Sequence, residues 1–253
     1  MFAKILLGFL GIIIFSSCVT TEYNVATHKK DFFFYSVEKE INLGRNLAKE
    51  VSRQFKLSYA PSYLEKVNRI GKKLVKVCDR REIFYHFYVI DKDEKNAFCL
   101  PGGYIYIFKG LIDIANDDEL AFAIAHEIGH TVARHHIKKL QALLGTNLLI
   151  LAAGNVESPQ FQEGLSFALT QIMCAYSRED EFTADELAVK YTKKAGFSPK
   201  AGITLLEKLY QIHKKEKISG SSFFRTHPYI SQRIKHIKKI LKIPFSVSDY
   251  FSE

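Results

Sequence analysis

The residues that could carry chemistry lie close together in one stretch of this sequence, where His126, Glu127 and His130 form the pattern HExxH. Two histidines four residues apart share one face of a helix, so both imidazoles can reach a single metal ion. The carboxylate of Glu127, one residue after the first histidine, can then face a water molecule at that metal. The spacing therefore predicts a site in which a metal ion and a carboxylate together activate water for hydrolysis.

The surrounding residues predict that this motif lies on one buried helix from Asn116 to His136. Asn116 can cap the helix with Glu119 as its partner, and Leu120–Ala125 is apolar on all sides. A chance HExxH pattern is expected in roughly a few percent of chains of this length. Histidine and glutamate side chains are costly to bury in an apolar helix without a partner, and a metal ion is such a partner, so we favour the metal site.

A further ligand must come from downstream, because HExxH supplies two ligands and a catalytic zinc takes a third plus an open position. Glu181 and Asp185 are four residues apart and share a face of a predicted helix. Glu181 can bind the metal while Asp185 accepts the free ring N–H of a liganding histidine. By spacing alone, Glu179 and Glu186 are credible alternatives to Glu181.

Four motifs follow one another along the chain from about Val37 to Ile234: NAFCLPGGYIYIFKGLI, DELAFAIAHEIGHTVARH, YSREDEFTADELAVKYTKKAGFSP and THPYISQRI. In this order they resemble the zinc metallopeptidases of the HtpX and BepA type, metallopeptidase family forty-eight. The resemblance places the ExxxD motif of that family on Glu181 and Asp185, which implies Glu181 as the third ligand of one zinc ion per chain. It also places a His-Pro motif on His227 and Pro228.

The same resemblance implies a mainly helical α+β fold of the zincin type, in its gluzincin branch, with a small β-sheet or hairpin beside the HExxH helix. The residue pattern agrees, since aromatic and β-branched residues bounded by turn signals predict strands before that helix. The predicted segments are strands at Ile83–Ile90, Asn96–Leu100 and Tyr104–Phe108, helices from Val37 to Phe55 and from Leu64 to Val77, and a loop from Asn155 to Glu163.

The strand that contains Asn96, Ala97, Phe98 and Cys99 is a candidate substrate-binding edge, because an extended peptide backbone can pair with an exposed strand. An ordinary structural hairpin is the alternative, and the pattern barely separates the two. Cys99 stands where the family usually has a small residue such as alanine. Its thiol therefore either lines this edge or is buried and inert.

The expected activity is that of a zinc endopeptidase that hydrolyses polypeptides, with Glu127 as the general base. The resemblance gives His227 one of two opposed roles: it donates a hydrogen bond to the developing oxyanion, or it binds zinc and displaces the water. His135 and His136 would point away from the metal on a continuous helix, so we expect structural or surface positions for them. The alternative from another class is a membrane-tethered chaperone or assembly factor with a structural or closed metal site.

The N-terminal residues resemble a bacterial lipoprotein signal, which favours the short lipoprotein branch of the family. Lys4 precedes an apolar run from Ile5 to Phe15, and two serines then lead to Cys18. We expect residues 1–17 to be a signal peptide, Cys18 to carry lipid, 18–35 to be a flexible tether and 36–253 to form a single peptidase domain. Phe15 stands where leucine is usual, so an uncleaved anchor is the alternative.

Composition and charge restrict the classes of binding partner that we expect for the chain. Its 253 residues are 47% hydrophobic, enough for a real core, and its formal net charge is +9. The lysines are spread along the chain without an aromatic-basic module or a zinc-finger spacing, so nucleic acid is not an expected partner. An anionic membrane surface fits this charge better. We expect a lipid-anchored protein of the cell envelope that faces the periplasm and acts on misfolded or stalled envelope proteins.

Overall fold

The computed structural model describes residues 20–24, 29–33, 36–145, 158–216 and 222–245. The helices of these ranges are α1 Val37–Gln54, α2 Pro61–Val75, α3 Lys109–Ile114, α4 Asp117–Val132, α5 His135–Leu144, α6 Pro159–Ile172, α7 Arg178–Lys194, α8 Ala201–Glu216, α9 Ser222–Thr226 and α10 Ile230–Ile240. The strands are β1 Thr20–Asn24, β2 Lys29–Phe33, β3 Leu57–Ser58, β4 His86–Ile90, β5 Ala97–Leu100 and β6 Tyr104–Phe108. The predicted α+β class, mainly helical with a small sheet, is confirmed.

Strands β3 to β6 form one mixed sheet in the order β3-β4-β6-β5. Strand β4 runs parallel to β6, and β5 pairs antiparallel with β6 as the predicted hairpin. In the turn between them, Gly102 and Gly103 have φ values of 73° and 89°, which glycine adopts without strain. Strand β4 is shorter than predicted at its start, because its pairing begins at His86, opposite the first residue of β6.

The sheet is buried on both faces because side chains alternate along β6. Ile105 and Ile107 face a core that includes residues of α2, α4, α7 and α8. Tyr106 and Phe108 face a second core formed with α1, α5 and α6. Helices therefore cover both sides of the sheet, and α4 lies against the side that carries the two isoleucines.

Helix α4 lies at the buried centre of the fold, and its N-terminus is capped in the predicted way. Asn116 Oδ1 accepts a hydrogen bond from Glu119 N at 2.9 Å, and Glu119 Oε2 accepts one from Asn116 N at 3.0 Å. Near its other end, a Cβ atom on Gly129 would lie 2.9 Å from Ala184 O of α7. Glycine thus permits the close approach of α4 and α7 that brings the HExxH residues to Glu181.

Helix α4 ends at Val132, so the prediction of one helix reaching His136 is wrong. Arg134 adopts a left-handed conformation, with φ 56° and ψ 33°, and the separate helix α5 starts at His135. No glycine or proline marks this break in the sequence. A left-handed backbone costs about 1–3 kcal/mol in a residue other than glycine. Here it is held by a buried ion pair from Arg134 Nε to Glu40 Oε2, at 2.8 Å.

Two further segments differ from the expectation. The predicted loop is wrong from Pro159 onward, because Pro159 begins α6 and the hydroxyl of Ser158 caps it by accepting a hydrogen bond from Phe161 N at 3.2 Å. Strands β1 and β2 pair antiparallel within residues 18–35, the segment that we expect to be a flexible tether. Their threonine, tyrosine and phenylalanine residues favour extended structure.

The N-terminal predictions fall outside the described part of the chain. Both the proposed signal peptide at 1–17 and the proposed lipid-bearing Cys18 precede the first described residue. Within the described ranges, no helix combines the length and apolar character that crossing a bilayer requires.

Candidate metal centre

Four buried side chains from three parts of the fold meet at one point. His126 and His130 come from α4, Glu181 comes from α7, and His227 follows α9. One ligand atom of each residue lies within 4.8 Å of the ligand atoms of the other three. The fold therefore brings together the three metal ligands expected from sequence, and His227 joins them.

The spacing of these atoms fits one tetrahedral ion. His126 Nε2 lies 3.0 Å from His130 Nε2, and each of them lies 3.4 Å from an oxygen of Glu181. His227 Nδ1 lies 3.1 Å from Glu181 Oε1 and 3.4 Å from His126 Nε2. Zinc bonds of about 2.0–2.1 Å in a tetrahedron place neighbouring ligand atoms about 3.3 Å apart. Three imidazoles and one carboxylate at this spacing are a donor set that suits zinc.

The charges of the site also suit a divalent cation. Glu127, Glu181 and Asp185 bury three carboxylates beside the histidines, and Arg233 contributes a buried guanidinium. With neutral imidazoles, these groups carry an excess of two negative charges, which a protein interior tolerates only when they are compensated. A dication among the four ligand atoms would balance this excess.

Asp185 orients His126, since its Oδ1 lies 2.9 Å from Nδ1 of the ring. Burial and Arg233 lower the pKa of His126, but the carboxylates of Asp185 and Glu181 outweigh them and raise it to about 9. For Glu181, burial raises the pKa, whereas Arg233 and His227 hold it well below its usual range. Both shifts indicate that the surroundings favour positive charge where the ligand atoms meet.

Arg233, on α10, belongs to the site although no spacing rule distinguishes it among the 36 lysines and arginines of the chain. Its Nε and Nη2 donate to the two oxygens of Asp185 at 2.8 and 2.7 Å, and its Nη1 lies 2.9 Å from Glu181 Oε2. The residue is 1% exposed. Its place in the THPYISQRI motif, six residues after His227, is the signal that could have identified it.

Glu127 lies beside the ligand cluster with one oxygen that lacks a protein partner. Its Oε2 is buried and accepts no hydrogen bond within the described part of the chain, and its Oε1 lies 3.4 Å from His227 Nε2. A buried acceptor left without a donor is costly unless a further group reaches it. The oxygen is therefore available to accept a proton from a water molecule.

The predicted substrate edge is buried, and its side chains point to different cores. Ala97 and Cys99 belong to the core around α4, whereas Phe98 belongs to the core on the other face of the sheet. Burial raises the pKa of the Cys99 thiol well above its usual value, and the carboxylate of Glu127 acts in the same direction. The thiol is thus neutral and enclosed.

His227 covers the start of this edge. Its Nε2 lies 3.4 Å from the carbonyl oxygen of Ala97, and the neighbouring Thr226 Oγ1 donates to Asn96 Oδ1 at 3.2 Å. His227 N also donates to Phe223 O of α9 at 2.7 Å. One imidazole therefore joins the ligand cluster and lies over the strand at the same time.

The two alternatives to Glu181 point elsewhere. Glu179 is exposed and pairs with Arg178 at 3.2 Å, and Glu186 is exposed and pairs with His236 at 3.0 Å. Neither belongs to the group of ligand atoms around the HExxH histidines.

His135 and His136 are both buried, which excludes a surface position for either. His136 lies 3.6 Å from Glu40 Oε1 and outside the ligand cluster. His135 Nδ1, in contrast, lies 2.8 Å from His130 Nδ1. The break at Arg134 turns His135 back toward the metal site, which a continuous helix would not allow.

Comparisons with known proteins agree with this geometry. The model of peptidase family M48 matches residues 61–241, which include all four ligand positions. The chain is 28% identical over 242 residues to the mitochondrial metalloendopeptidase OMA1 of Schizosaccharomyces pombe, a match that covers 92% of this chain and 71% of that relative.

Two bacterial proteins are similar to the same extent. The beta-barrel assembly-enhancing protease of Yersinia pestis is 28% identical over 215 residues, which cover 79% of this chain and 43% of that relative. The metalloprotease LoiP of Escherichia coli (strain K12) is 28% identical over 190 residues, which cover 72% of this chain and 73% of LoiP. The match thus spans less than half the length of the first protein and about three quarters of the second.

Proposed function

The chain belongs to peptidase family M48 and is thereby a metalloendopeptidase of the gluzincin type, and we propose that it is a zinc-dependent enzyme of cell-envelope protein quality control. The observation that carries the proposal is the buried cluster of His126, His130, Glu181 and His227 with the carboxylate of Glu127 beside it. Metal-assisted peptide hydrolysis needs a metal site and a proton acceptor in one place. This cluster supplies both.

In this proposal His126, His130 and Glu181 hold one zinc ion. Zinc bound there would acidify a water molecule and polarise a peptide carbonyl. Asp185 fixes the ring of His126, so that Nε2 stays turned toward the metal. Arg233 contacts both Asp185 and Glu181, and it keeps the two carboxylates in one orientation while charge changes beside them.

Glu127 is the general base. It takes a proton from the attacking water and gives it to the leaving amine. Because Oε2 has no hydrogen-bond donor within the described ranges, it is available to accept this proton. The neighbouring Cys99 stays protonated and does not compete as a base.

His227 caps the site in the described conformation. Its Nδ1 would take the fourth ligand position of a zinc ion bound there, which a catalytic zinc site keeps open for water and substrate. The segment that carries His227 must therefore move before catalysis. The same movement uncovers the carbonyl of Ala97, so access to the metal and access to β5 are coupled.

The substrate is a polypeptide in extended form. Among the described strands, β5 has a partner on one side only, and its other side can pair with a substrate backbone. Strand β5 packs next to α4, so a peptide paired with it would pass close to Glu127.

We place the enzyme at the cell envelope, anchored to a membrane by lipid on Cys18 and facing the periplasm. The lipoprotein-like N-terminus supports this, as do relatives named for β-barrel assembly and for mitochondria. The net charge of +9 favours an anionic membrane surface. Misfolded or stalled envelope proteins are the substrates that fit this location.

A second candidate function is favoured by one specific observation. Four protein ligands around one metal are the pattern of a structural zinc site, which would suit a membrane-tethered chaperone or assembly factor. Such a protein would keep its activity without the carboxylate of Glu127.

Zinc content and casein cleavage, measured for the wild type and for Glu127→Gln, test the proposal. We expect Glu127→Gln to keep zinc and lose cleavage, because the amide has the shape of the carboxylate but cannot accept the proton. Glu207→Gln, at an exposed position on α8, is the matched control and should cleave like the wild type. Cleavage retained by Glu127→Gln would reject the assignment of Glu127 as the general base. If neither the zinc-loaded wild type nor the zinc-loaded His227→Ala variant cleaves casein, the chaperone function is favoured.

A further inference from the structure

The two histidines of the HExxH motif are oriented by different partners. His126 Nδ1 faces the carboxylate of Asp185 at 2.9 Å, whereas His130 Nδ1 faces another imidazole, with His135 Nδ1 at 2.8 Å. A liganding histidine almost always directs its second ring nitrogen to an acceptor that fixes its ring and its proton. We infer that His135 is this positioning residue for His130, and that Asp180 in turn fixes His135.

The direction of each hydrogen bond follows from metal binding, and in this respect the inference rests on the proposed function. His130 can offer the Nε2 lone pair to a metal only when its proton is on Nδ1. His135 Nδ1 must then accept that proton, so the proton of His135 is on Nε2. This Nε2 lies 3.3 Å from Asp180 Oδ1. Every nitrogen thus has one role, and both rings are neutral.

The backbone between α4 and α5 places His135 for this contact. On a continuous helix, five residues turn the chain by about 500°, which would put His135 about 140° around the axis from His130. The left-handed Arg134 ends α4 and returns His135 to the metal site. The ion pair of Arg134 with Glu40 holds that conformation. The left-handed backbone at Arg134 therefore places His135 where its Nδ1 can accept a hydrogen bond from His130.

The hydrogen bonds from His130 through His135 to Asp180 form a relay, and the first turn of α7 supplies its outer end. Asp180 Oδ2 accepts a hydrogen bond from Ser177 Oγ at 2.8 Å in the capping box of α7, and Oδ1 faces His135. Glu181, the next residue, belongs to the ligand cluster. The same helical turn thus fixes one metal ligand through His135 and supplies another directly.

Two substitutions of His135 separate hydrogen bonding from packing. Asparagine carries its Oδ1 close to the position of the histidine Nδ1, so His135→Asn keeps an acceptor for His130, whereas His135→Leu fills space and accepts nothing. We expect the zinc affinity, measured by competition with a chromophoric chelator, to fall about 10–100-fold in His135→Leu. In His135→Asn it should stay near the wild-type value. Packing alone predicts the opposite order, because a buried site tolerates leucine better than asparagine.

A neighbouring histidine provides the control. His136→Leu removes an equally buried imidazole that contacts Glu40 instead of a ligand, and it should leave zinc affinity unchanged in protein whose circular dichroism is that of the wild type. An equal loss in His136→Leu and His135→Leu would overturn the relay.

The ring protons can also be observed directly in the unmutated enzyme. In long-range ¹H–¹⁵N spectra of the zinc-loaded wild type, we expect His135 as the Nε2–H tautomer, and an Nδ1–H tautomer would overturn the inference. A wild type that binds no zinc would reject the proposed function itself. Equal zinc affinity in the wild type and His135→Leu would reject only the relay.

Discussion

His227 Nδ1 lies 3.1 Å from Glu181 Oε1, so the residue that caps the ligand cluster contacts the carboxylate that completes it. His227 is attached to the short helix α9 by the hydrogen bond from its backbone N–H to Phe223 O. A five-residue helix has few internal hydrogen bonds to keep it in place. In the proposed opening, His227 gives up its buried contacts with Glu181, His126, Glu127 and the Ala97 carbonyl, while α4 and α7 keep their places.

The first prediction concerns this cap. If His227 closes the site, His227→Ala should raise basal proteolysis, because the fourth ligand position becomes accessible. A tenfold rise in the initial rate of casein cleavage corresponds to a closed state favoured by about 1.4 kcal/mol. His86→Ala, which removes an exposed imidazole from β4, is the control and should not change the rate.

Two other results for His227→Ala have distinct meanings. A fall in turnover that corresponds to a rise of about 2.7–4 kcal/mol in the activation free energy would mean that His227 stabilises the oxyanion and does not cap the site. Turnover and zinc content both equal to those of the wild type would contradict either role.

The second prediction concerns the third ligand. Glu181→Ala should lower zinc affinity strongly, since it removes a ligand atom, and Asp185→Asn should lower it by about 10–100-fold through the orientation of His126. Glu179→Ala, two residues away and exposed, is the matched control. Zinc content measured by atomic absorption after dialysis against a chelator distinguishes them. Equal zinc content in Glu181→Ala and Glu179→Ala would contradict the assignment.

The choice of Glu181 over Glu179 and Glu186 comes from the resemblance to metallopeptidase family forty-eight, whereas the convergence of His126 and His130 could be predicted because a helix converts spacing along the chain into direction. The hairpin of β5 and β6 could be predicted for a related reason, since the glycine pair in its turn is a local signal. In both cases the information lies within a few consecutive residues.

His135 and Arg233 could not be found in this way. The position of His135 depends on the left-handed backbone of Arg134. No glycine marks this conformation in the sequence, and a long-range ion pair with Glu40 stabilises it. Arg233 depends on the packing of α10 against α7, and apart from its place in the THPYISQRI motif nothing in the spacing distinguishes it within a lysine-rich helix. Both positions follow from tertiary contacts, which the spacing of residues along the chain does not encode.

The third prediction concerns the N-terminus. Cys18→Ser should release the mature protein from membranes or leave it unprocessed, because a single cysteine after the short apolar run is the proposed lipid attachment point. Membrane fractionation and palmitate labelling measure both effects. Cys174→Ser, at an exposed free cysteine, is the control and should fractionate like the wild type. Normal membrane fractionation of Cys18→Ser without palmitate labelling would point to an uncleaved anchor.

The last prediction concerns Glu40, a fully buried carboxylate that connects α1 to the end of α4. It accepts hydrogen bonds from Arg80 Nη1 and Nη2 at 2.8 and 2.9 Å, and Arg134 Nε lies 2.8 Å away. Arg80 Nη1 also donates to Thr131 O at 3.1 Å. Burial raises the pKa of Glu40, but Arg80, His136 and Arg134 together hold it far below its usual value of 4.5.

A carboxyl group whose pKa is lowered by folding stabilises the protein above its unfolded pKa, and this contribution is lost as the pH falls toward the folded pKa. Glu40→Gln should therefore reduce the free energy of unfolding by about 3–5 kcal/mol at neutral pH, the usual cost of leaving a buried ion pair without one partner. Urea unfolding should show this difference shrinking as the pH falls below about 4.5. Glu38→Gln, exposed in the first turn of the same helix, should cost less than about 1 kcal/mol. A difference for Glu40→Gln that does not change with pH would mean that Glu40 acts through packing and not through its charge.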